Sequence, residues 1–343
     1  MRKLLFVKTK HLGDSVILTA AVQSIVGDFM IDIFCQPGSA GVFLGNPRID
    51  KVYSPPVRQT GLSYAWAYVK LLWSLRKNQY NAVIQFSDDW RGALVSFISG
   101  SPLRVCHQSH RRSKFWHRAF NHCAPRISYE RHAAEQDMDL LRYIGLTNRA
   151  EAPPYALYPS VEADLRVRRW LQENKLQIHE YIIVNAATRW KFKTLFPEQW
   201  RHVVAVLLDA GLQLVFSGSS DDRLFYEKFV DQKNLIACDF DLHETFSLYK
   251  YSRALLSIDS LSLHVASAFK IPTFAIFGPS GEVQWRPLHT RHKIYEQSSR
   301  FSCRPCGRDG CESTKISQCL VTLDGSRIAE DFIRFLRGGE VRE

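Results

Sequence analysis

The sequence predicts an α/β protein of two doubly wound halves, each a parallel sheet covered by helices. Three observations predict it. The chain has 343 residues, about twice the common domain size. Short apolar runs alternate with helix-periodic stretches, the pattern of parallel strands joined by crossover helices. No apolar run approaches the roughly 18 residues that a bilayer-spanning helix needs, since Lys70 interrupts 64–75 and Asp209 ends 203–208. Hydrophobic residues make up 45% and charged residues 23%, which excludes a disordered or collagen-like chain.

The first strand is the apolar run 4–7, ending at Lys8. After the loop 9–13, Val16, Ile17, Ala20, Ala21, Ser24 and Ile25 recur at helical spacing, so 16–26 is a helix. Residues 30–35 form a second strand, closed by Pro37 and Gly38, and 52–53 a weaker third. A helix over 64–75 and a strand over 82–86 follow. Periodicity breaks at 153–159, the linker. The expected domains are therefore 1–158 and 159–322, with a terminal segment 323–343.

In the second half a helix at 161–174 leads to a strand at 181–185. The helix 200–210 stops at Gly211, a C′ glycine. Strands at 213–217, 234–237, 254–258 and 273–277 alternate with helices at 222–230, 245–251 and 261–269. Over 326–337, Ile328, Phe332, Ile333 and Leu336 form one apolar stripe, so this helix must pack on a partner. Two such halves place ligands at the carboxyl ends of their strands, facing a central cleft.

Lys and Arg number 45 against 34 Asp and Glu, a formal charge of +11. That surplus draws phosphate, on a nucleotide, a nucleic acid or an anionic membrane alike. The basic start at Arg2 and Lys3 is followed by too short an apolar run for a secretory signal. A cytoplasmic location is expected, with the eight cysteines as reduced thiols or metal ligands.

Several segments could carry chemistry. Asp14, after Gly13, lies where the first strand's loop turns into a helix; it reads either as an N-cap or as a base. The loop 185–193 carries Thr188, Arg189, Lys191 and Lys193, a hydroxyl and cations suited to a pyrophosphate, or else a solvated basic loop. At 259–264, Asp259 and Ser260 open a helix whose free amides, through Leu261 and Ser262, suit phosphate oxygens, with His264 one turn on. His264 reads equally as a core residue and Asp259 as a cap. The turn Gly278-Pro279-Ser280 would border the same site. There is no Walker loop, no G-x-G-x-x-G and no G-x-S-x-G, which counts against kinases, dehydrogenases and serine hydrolases.

Cys303, Cys306, Cys311 and Cys319 fall within 17 residues, a spacing read as a structural metal site or as free thiols. The stretch 104–126 carries Arg104, Arg111, Arg112, Lys114, Arg118 and Arg126, four histidines and no acid, with Phe115, Trp116 and Phe120 interleaved. Such a run, with an aromatic wedge, reads as docking to an anionic surface, lipid or nucleic acid.

Taken in order, Leu12-Gly13-Asp14 with Thr19, Gly45-Asn46-Pro47, Leu140-Leu141 to Gly145, the 188–193 loop, 259–264 and Phe277-Gly278-Pro279-Ser280 resemble glycosyltransferase family 9, the ADP-heptose:lipopolysaccharide heptosyltransferases. Arg189-Trp190 with Lys193, Asp259-Ser260 and the cysteine-rich tail look most like its core heptosyltransferase III branch. Ala20 stands where the family commonly has proline, and Leu261 where many members have glycine. The resemblance implies a GT-B fold of two Rossmann-like domains, with the last helix crossing back to the N-terminal domain. It implies an inverting enzyme that moves heptose from ADP-heptose to the inner core of lipopolysaccharide without a cofactor. Asp14 matches the catalytic base and Lys193 the phosphate-binding lysine. Thr188, Arg189, Asp222, Asp259, Ser260, Leu261 and His264 match the donor site, with Asp222 on the ribose hydroxyls. Lys10, Arg111, Arg112 and Lys114 are assigned to the acceptor or the inner face of the inner membrane, where the enzyme would be peripheral. A protein acceptor and a non-catalytic nucleotide- or nucleic-acid-binding protein are the alternatives; the latter gives Asp14 and Asp259 no role.

Overall fold

Strands buried on both faces read as unbroken apolar runs, and the runs at 4–7, 30–35 and 254–258 are such strands. The computed structural model describes residues 2–57, 60–109, 112–126, 128, 130–230 and 235–338. They divide into two compact units, Met1–Tyr158 and Pro159–Glu343.

The first unit runs β1 (Arg2–Lys8), α1 (Leu12–Ser24), β2 (Phe29–Cys35), β3 (Ile49–Tyr53), α2 (Gly61–Lys77), β4 (Ala82–Gln85), α3 (Trp90–Ser99), β5 (Leu103–His107), α4 (Lys114–His117), β6 (His122–Ala124) and α5 (Ala133–Tyr143). Its sheet has the order β3-β2-β1-β4-β5-β6, parallel throughout. Leu5, Val7, Phe34 and Val83 on the sheet bury against Leu72 and Leu75 of α2 and Val95 of α3.

The second unit runs α6 (Val161–Glu173), β7 (Ile182–Asn185), α7 (Pro197–Asp209), β8 (Leu214–Ser217), α8 (Arg223–Tyr226), β9 (Leu235–Ala237), α9 (Leu242–Lys250), β10 (Ala254–Ile258), α10 (Leu261–Ala268), β11 (Thr273–Ile276), α11 (Glu282–Trp285), β12 (His292–Tyr295), α12 (Gln318–Val321) and α13 (Gly325–Leu336). Its order, β12-β11-β10-β7-β8-β9, is again all parallel. Counted from its own first strand this is the sequence 3-2-1-4-5-6, the same as in the first unit, and it is the dinucleotide-fold order. Gly211 ends the α7 turn at φ +75°, as a C′ glycine should.

Two expectations change. Between 87 and 152, where the sequence reading assigned no elements, the chain holds two helices of ten residues or more, α3 and α5, and two strands. The aromatic wedge of 104–126 points inward: Trp116 and Phe120 are buried with Ala93 and Cys106. Two of the three aromatics in that run are thus spent in the core rather than presented beside its cations. The terminal helix is also reassigned. Its stripe is used within the second unit, where Ile328, Phe332 and Phe335 join the core with Phe274 of β11 and Val203 of α7. A Cβ on Gly325 would collide with the carbonyl oxygen of Gln199, so the start of α13 lies directly on α7. Arg291 fixes the other end, donating to the Phe335 carbonyl at 2.7 Å. No described helix is long and apolar enough to cross a membrane.

Phe332 is fully buried and meets the Phe274 ring edge-on at 5.7 Å. Phe332→Ala is expected to cost about 3–5 kcal/mol by denaturant unfolding; a cost near zero would detach α13 from this core.

Candidate functional site

Where a doubly wound sheet switches direction, the crossovers leave to opposite faces and open a crevice at the carboxyl ends of two central strands. These strands are β1 and β4 in the first unit and β7 and β10 in the second.

In the first unit, β1 ends on Lys8, only 3% exposed. Its ammonium donates to both carboxylate oxygens of Asp137 on α5, at 2.8 and 2.6 Å. Two charges this deep are tolerated only as a pair. Burial pushes the Asp137 carboxyl up to about 6 against the pull of Lys8, and the negative charge of Asp14 adds to the rise. Beside them His107, ending β5, is lowered to about 4 by burial and then by the charge of Arg126. The loops after β1 and β4 are tied by the Thr9 amide donating to Ser87 Oγ at 3.2 Å and by the Thr9 hydroxyl donating to Asp89. Asp89 in turn caps α3, accepting from the Gly92 amide at 3.0 Å.

Asp14 is half-buried in the first turn of α1, third residue in, and His11 occupies the N-cap. The capping alternative for Asp14 is thereby removed. Its carboxylate makes no ion pair or side-chain hydrogen bond among the described residues, which leaves its lone pairs open to a proton. Lys10 is half-exposed, 3.8 Å from Asp88. Lys114 is exposed, Arg112 half-buried, and Arg111 lies outside the described residues.

The second unit centres on Asn185, the last residue of β7. Its side-chain amide donates to the Ser217 carbonyl at 2.7 Å, and its carbonyl accepts from the Ser260 hydroxyl at 2.9 Å. It thus clips together the ends of β7, β8 and β10. Ser260 is the N-cap of α10 and accepts from the Ser262 amide at 3.3 Å; Asp259 is therefore not the cap. Instead Asp259 accepts from the Lys193 ammonium at 2.7 Å, with Asp259 nearly buried and Lys193 about a quarter exposed. An ammonium has three donors, so Lys193 keeps hydrogen-bonding capacity for a second anionic oxygen. Leu261 opens α10, and His264 is buried one turn on, its ring 6.3 Å from that of Trp285.

Thr188 and Asp222 line a separate pocket of about 420 Å³ with Lys191, Phe196, Phe225 and Lys315. The Asp222 carboxylate accepts from the Ser219 amide at 2.8 Å and hydroxyl at 2.7 Å. Arg189 lies against the exposed Trp190 ring at 5.5 Å.

Cys303 is exposed, Cys306 and Cys311 half-buried and Cys319 buried, all as free thiols. Among the described residues no three His, Cys, Asp or Glu converge as a metal site, so these four are not gathered into a ligand set. The tail is ordered by other means. The fully buried guanidinium of Arg304 donates to the Gly278 carbonyl at 2.6 Å and pairs with Glu282 and Glu296. The Ser317 hydroxyl donates to the Phe192 carbonyl at 2.6 Å, tying the tail to the Lys193 loop. A Cβ on Gly278 would sit 2.6 Å from Leu320, which is why glycine stands at that turn.

The family model for glycosyltransferase family 9 (heptosyltransferase) matches residues 68–317. The chain belongs to glycosyltransferase family 9. Lipopolysaccharide heptosyltransferase 3 of Escherichia coli K12 is 23% identical over 290 residues, 81% of this chain and 83% of that one. A glycosyl transferase family 9 structure from Veillonella parvula covers 98% of both chains at a TM-score of 0.84 and 17% identity. E. coli heptosyltransferase WaaC with ADP-2-deoxy-2-fluoro heptose covers 85% of this chain and 92% of that one, at a TM-score of 0.67 and 18% identity. The fold is GT-B and the protein is a glycosyltransferase, of the heptosyltransferase family of lipopolysaccharide core synthesis.

Lys8, His107, Asp137 and Arg304 were not singled out from sequence, and Asn185 was read only as the start of the 185–193 loop. Lys8 left a trace as a cation closing an apolar strand. Asp137→Asn strands the Lys8 ammonium and is expected to cost about 3–5 kcal/mol in chemical denaturation. Asp14→Asn removes a neighbouring negative charge, so the Asp137 midpoint should move down from about 6 when followed by carboxyl-carbon NMR. An unmoved midpoint would separate the two groups.

Proposed function

We propose that this enzyme transfers heptose from ADP-heptose to the inner core of lipopolysaccharide, with inversion at the anomeric carbon. The observation that carries the reading is the Lys193–Asp259 pair, 2.7 Å long at the switch point of the second unit, in a chain of family 9. The ADP-sugar analogue in the WaaC structure supports the donor class. The lipopolysaccharide heptosyltransferase 3 relative supports the acceptor class.

In this reading the second unit holds the donor. A diphosphate arriving beside Lys193 takes the donors that Asp259 leaves unused, and the Thr188 hydroxyl and the amides of Ser260 and Leu261 add neutral donors. Arg189, Leu261 and His264 belong to the same donor wall, and Asp222 takes the ribose hydroxyls. The acceptor oxygen attacks the anomeric carbon while the bond to the diphosphate oxygen breaks. The acceptor proton passes to Asp14, whose carboxylate has no ion pair or side-chain hydrogen bond among the described residues. Charge accumulates on the departing ADP, where Lys193 and its neighbouring donors stabilise it. The transition state has the oxocarbenium character of glycosyl transfer. The reading calls on no cofactor, and it places the enzyme in the cytoplasm, peripheral on the inner membrane, with Lys10, Arg112 and Lys114 on the acceptor side together with Arg111.

Asp14→Ala is expected to lower turnover on the order of 10²-fold or more while leaving ADP affinity within about two-fold, as loss of a general base does. Lys193→Ala should instead weaken ADP binding in calorimetry, where wild type prefers ADP to UDP and GDP. Mass analysis of the lipopolysaccharide core from a deletion strain should show one heptose missing. An unchanged core, or full turnover by Asp14→Ala, would overturn the assignment.

A further inference from the structure

We propose that the outer face of α2 and α3 is a bilayer-docking surface that seats the enzyme on anionic lipid. On α2, Leu62, Trp66, Val69 and Trp73 recur at steps of four, three and four residues, one stripe of a helix. All four point to solvent, with the two indoles 63% and 60% exposed. The opposite stripe, Leu72 and Leu75, is already committed to the sheet, so the outer stripe is surplus to folding. On the neighbouring α3, Trp90, Leu94 and Phe97 are exposed in the same periodicity, while Val95 faces the core. Arg76 ties the two helices by donating to the Ile98 carbonyl at 3.1 Å.

An exposed aromatic stripe of this length needs an occupant, and the charges select it. The seventeen residues of α2 hold Lys70, Arg76 and Lys77 and no acid, and the ten of α3 hold Arg91 and no acid. The Lys70 ammonium lies 5.3 Å from the Trp66 ring centre and that of Lys77 4.3 Å from the Trp73 ring centre. Each indole thus carries a cation over its ring, and Trp66, Val69, Lys70, Trp73 and Lys77 together line a shallow groove. Indoles that immerse at the headgroup level beneath lysines that meet lipid phosphate are the chemistry of an interfacial helix. A second copy of this face would bring lysine against lysine, which disfavours self-pairing. The surface is distinct from the 104–126 run, whose aromatics Trp116 and Phe120 pack beneath α3 against Ala93 rather than beside its exposed stripe.

The inference rests on the proposed function for its purpose alone: an acceptor held in a membrane is reached by an enzyme seated on that membrane. The full-length protein should co-sediment with vesicles of phosphatidylcholine and phosphatidylglycerol in equal parts and not with phosphatidylcholine alone. Its tryptophan emission should shift to the blue on binding, and Trp66→Ser with Trp73→Ser should remove most of that shift. Lys70→Ser with Lys77→Ser should weaken binding about 30-fold, about five-fold for each cation withdrawn from an anionic surface. All four positions are exposed, so thermal unfolding and ADP affinity should match wild type in both variants. Wild type that ignores anionic vesicles, or variants that bind them as well as wild type, would overturn the proposal. So would light scattering that shows a dimer dispersed by Trp66→Ser with Trp73→Ser and no vesicle binding. Wild type that binds ADP but not vesicles defeats this inference alone, whereas vesicle binding without ADP binding defeats the donor assignment alone.

Discussion

A lysine cannot be buried without an anion, and each unit pairs one near the carboxyl ends of its central strands. Lys8, the last residue of β1, pairs with Asp137 of α5 at 2.6 Å, and Lys193, in the loop after β7, pairs with Asp259, just after β10, at 2.7 Å. The degree of burial separates their uses. Lys8 and Asp137 are almost fully enclosed, so their pair is closed to solutes and acts as a fixed base for the β1 loop and for Asp14 beside it. Lys193 keeps about a quarter of its side chain in solvent, so its pair can be extended by a third charged group. A closed pair holds a carboxylate's surroundings constant, and an open one keeps donors for a further anionic group.

Around the open pair the polar groups form a chain. Tyr226 donates to the Ser217 carbonyl at 2.6 Å and receives the amides of Ala186 and Ala187 at 3.3 Å. Tyr249 donates to the Ser262 hydroxyl at 2.7 Å. These buried phenols are pushed upward by burial, so they stay neutral and act as rigid donors. The tail contributes from outside: Gln199 of α7 donates to the Leu320 and Leu323 carbonyls at 3.0 and 2.6 Å. The loop after β7 is thus held from β8, from α10 and from the tail at once.

Much of the fold was legible because parallel strands buried on both faces leave continuous apolar runs. The runs at 30–35 and 254–258 differ from the observed strands by at most one residue. Short or polar strands were not legible. β6 has three residues, β12 is only half-buried, and β5 carries Arg104 and His107, so none looks like a core strand. Polarity also gives no direction: Trp116 among cations reads as a surface wedge, yet it fills the space beneath α3. The α13 stripe announced that it must pack without saying on what. Asp14, Lys193, Asp259 and Ser260 drew attention in the sequence because they follow recognisable strands. Lys8 and Asp137 lie 129 positions apart, and no local pattern connects them.

The central claim is a single displacement, in which a carboxylate from the first unit removes the acceptor proton while the diphosphate leaves under the hold of Lys193. The anomeric configuration of the product tests it most directly. Proton and carbon NMR of the heptosylated acceptor, made by the purified enzyme from an ADP-heptose of known anomer, should show the opposite configuration at the transferred carbon. Retention would require two displacements through a covalent or ion-paired intermediate, and would contradict the role given to Asp14.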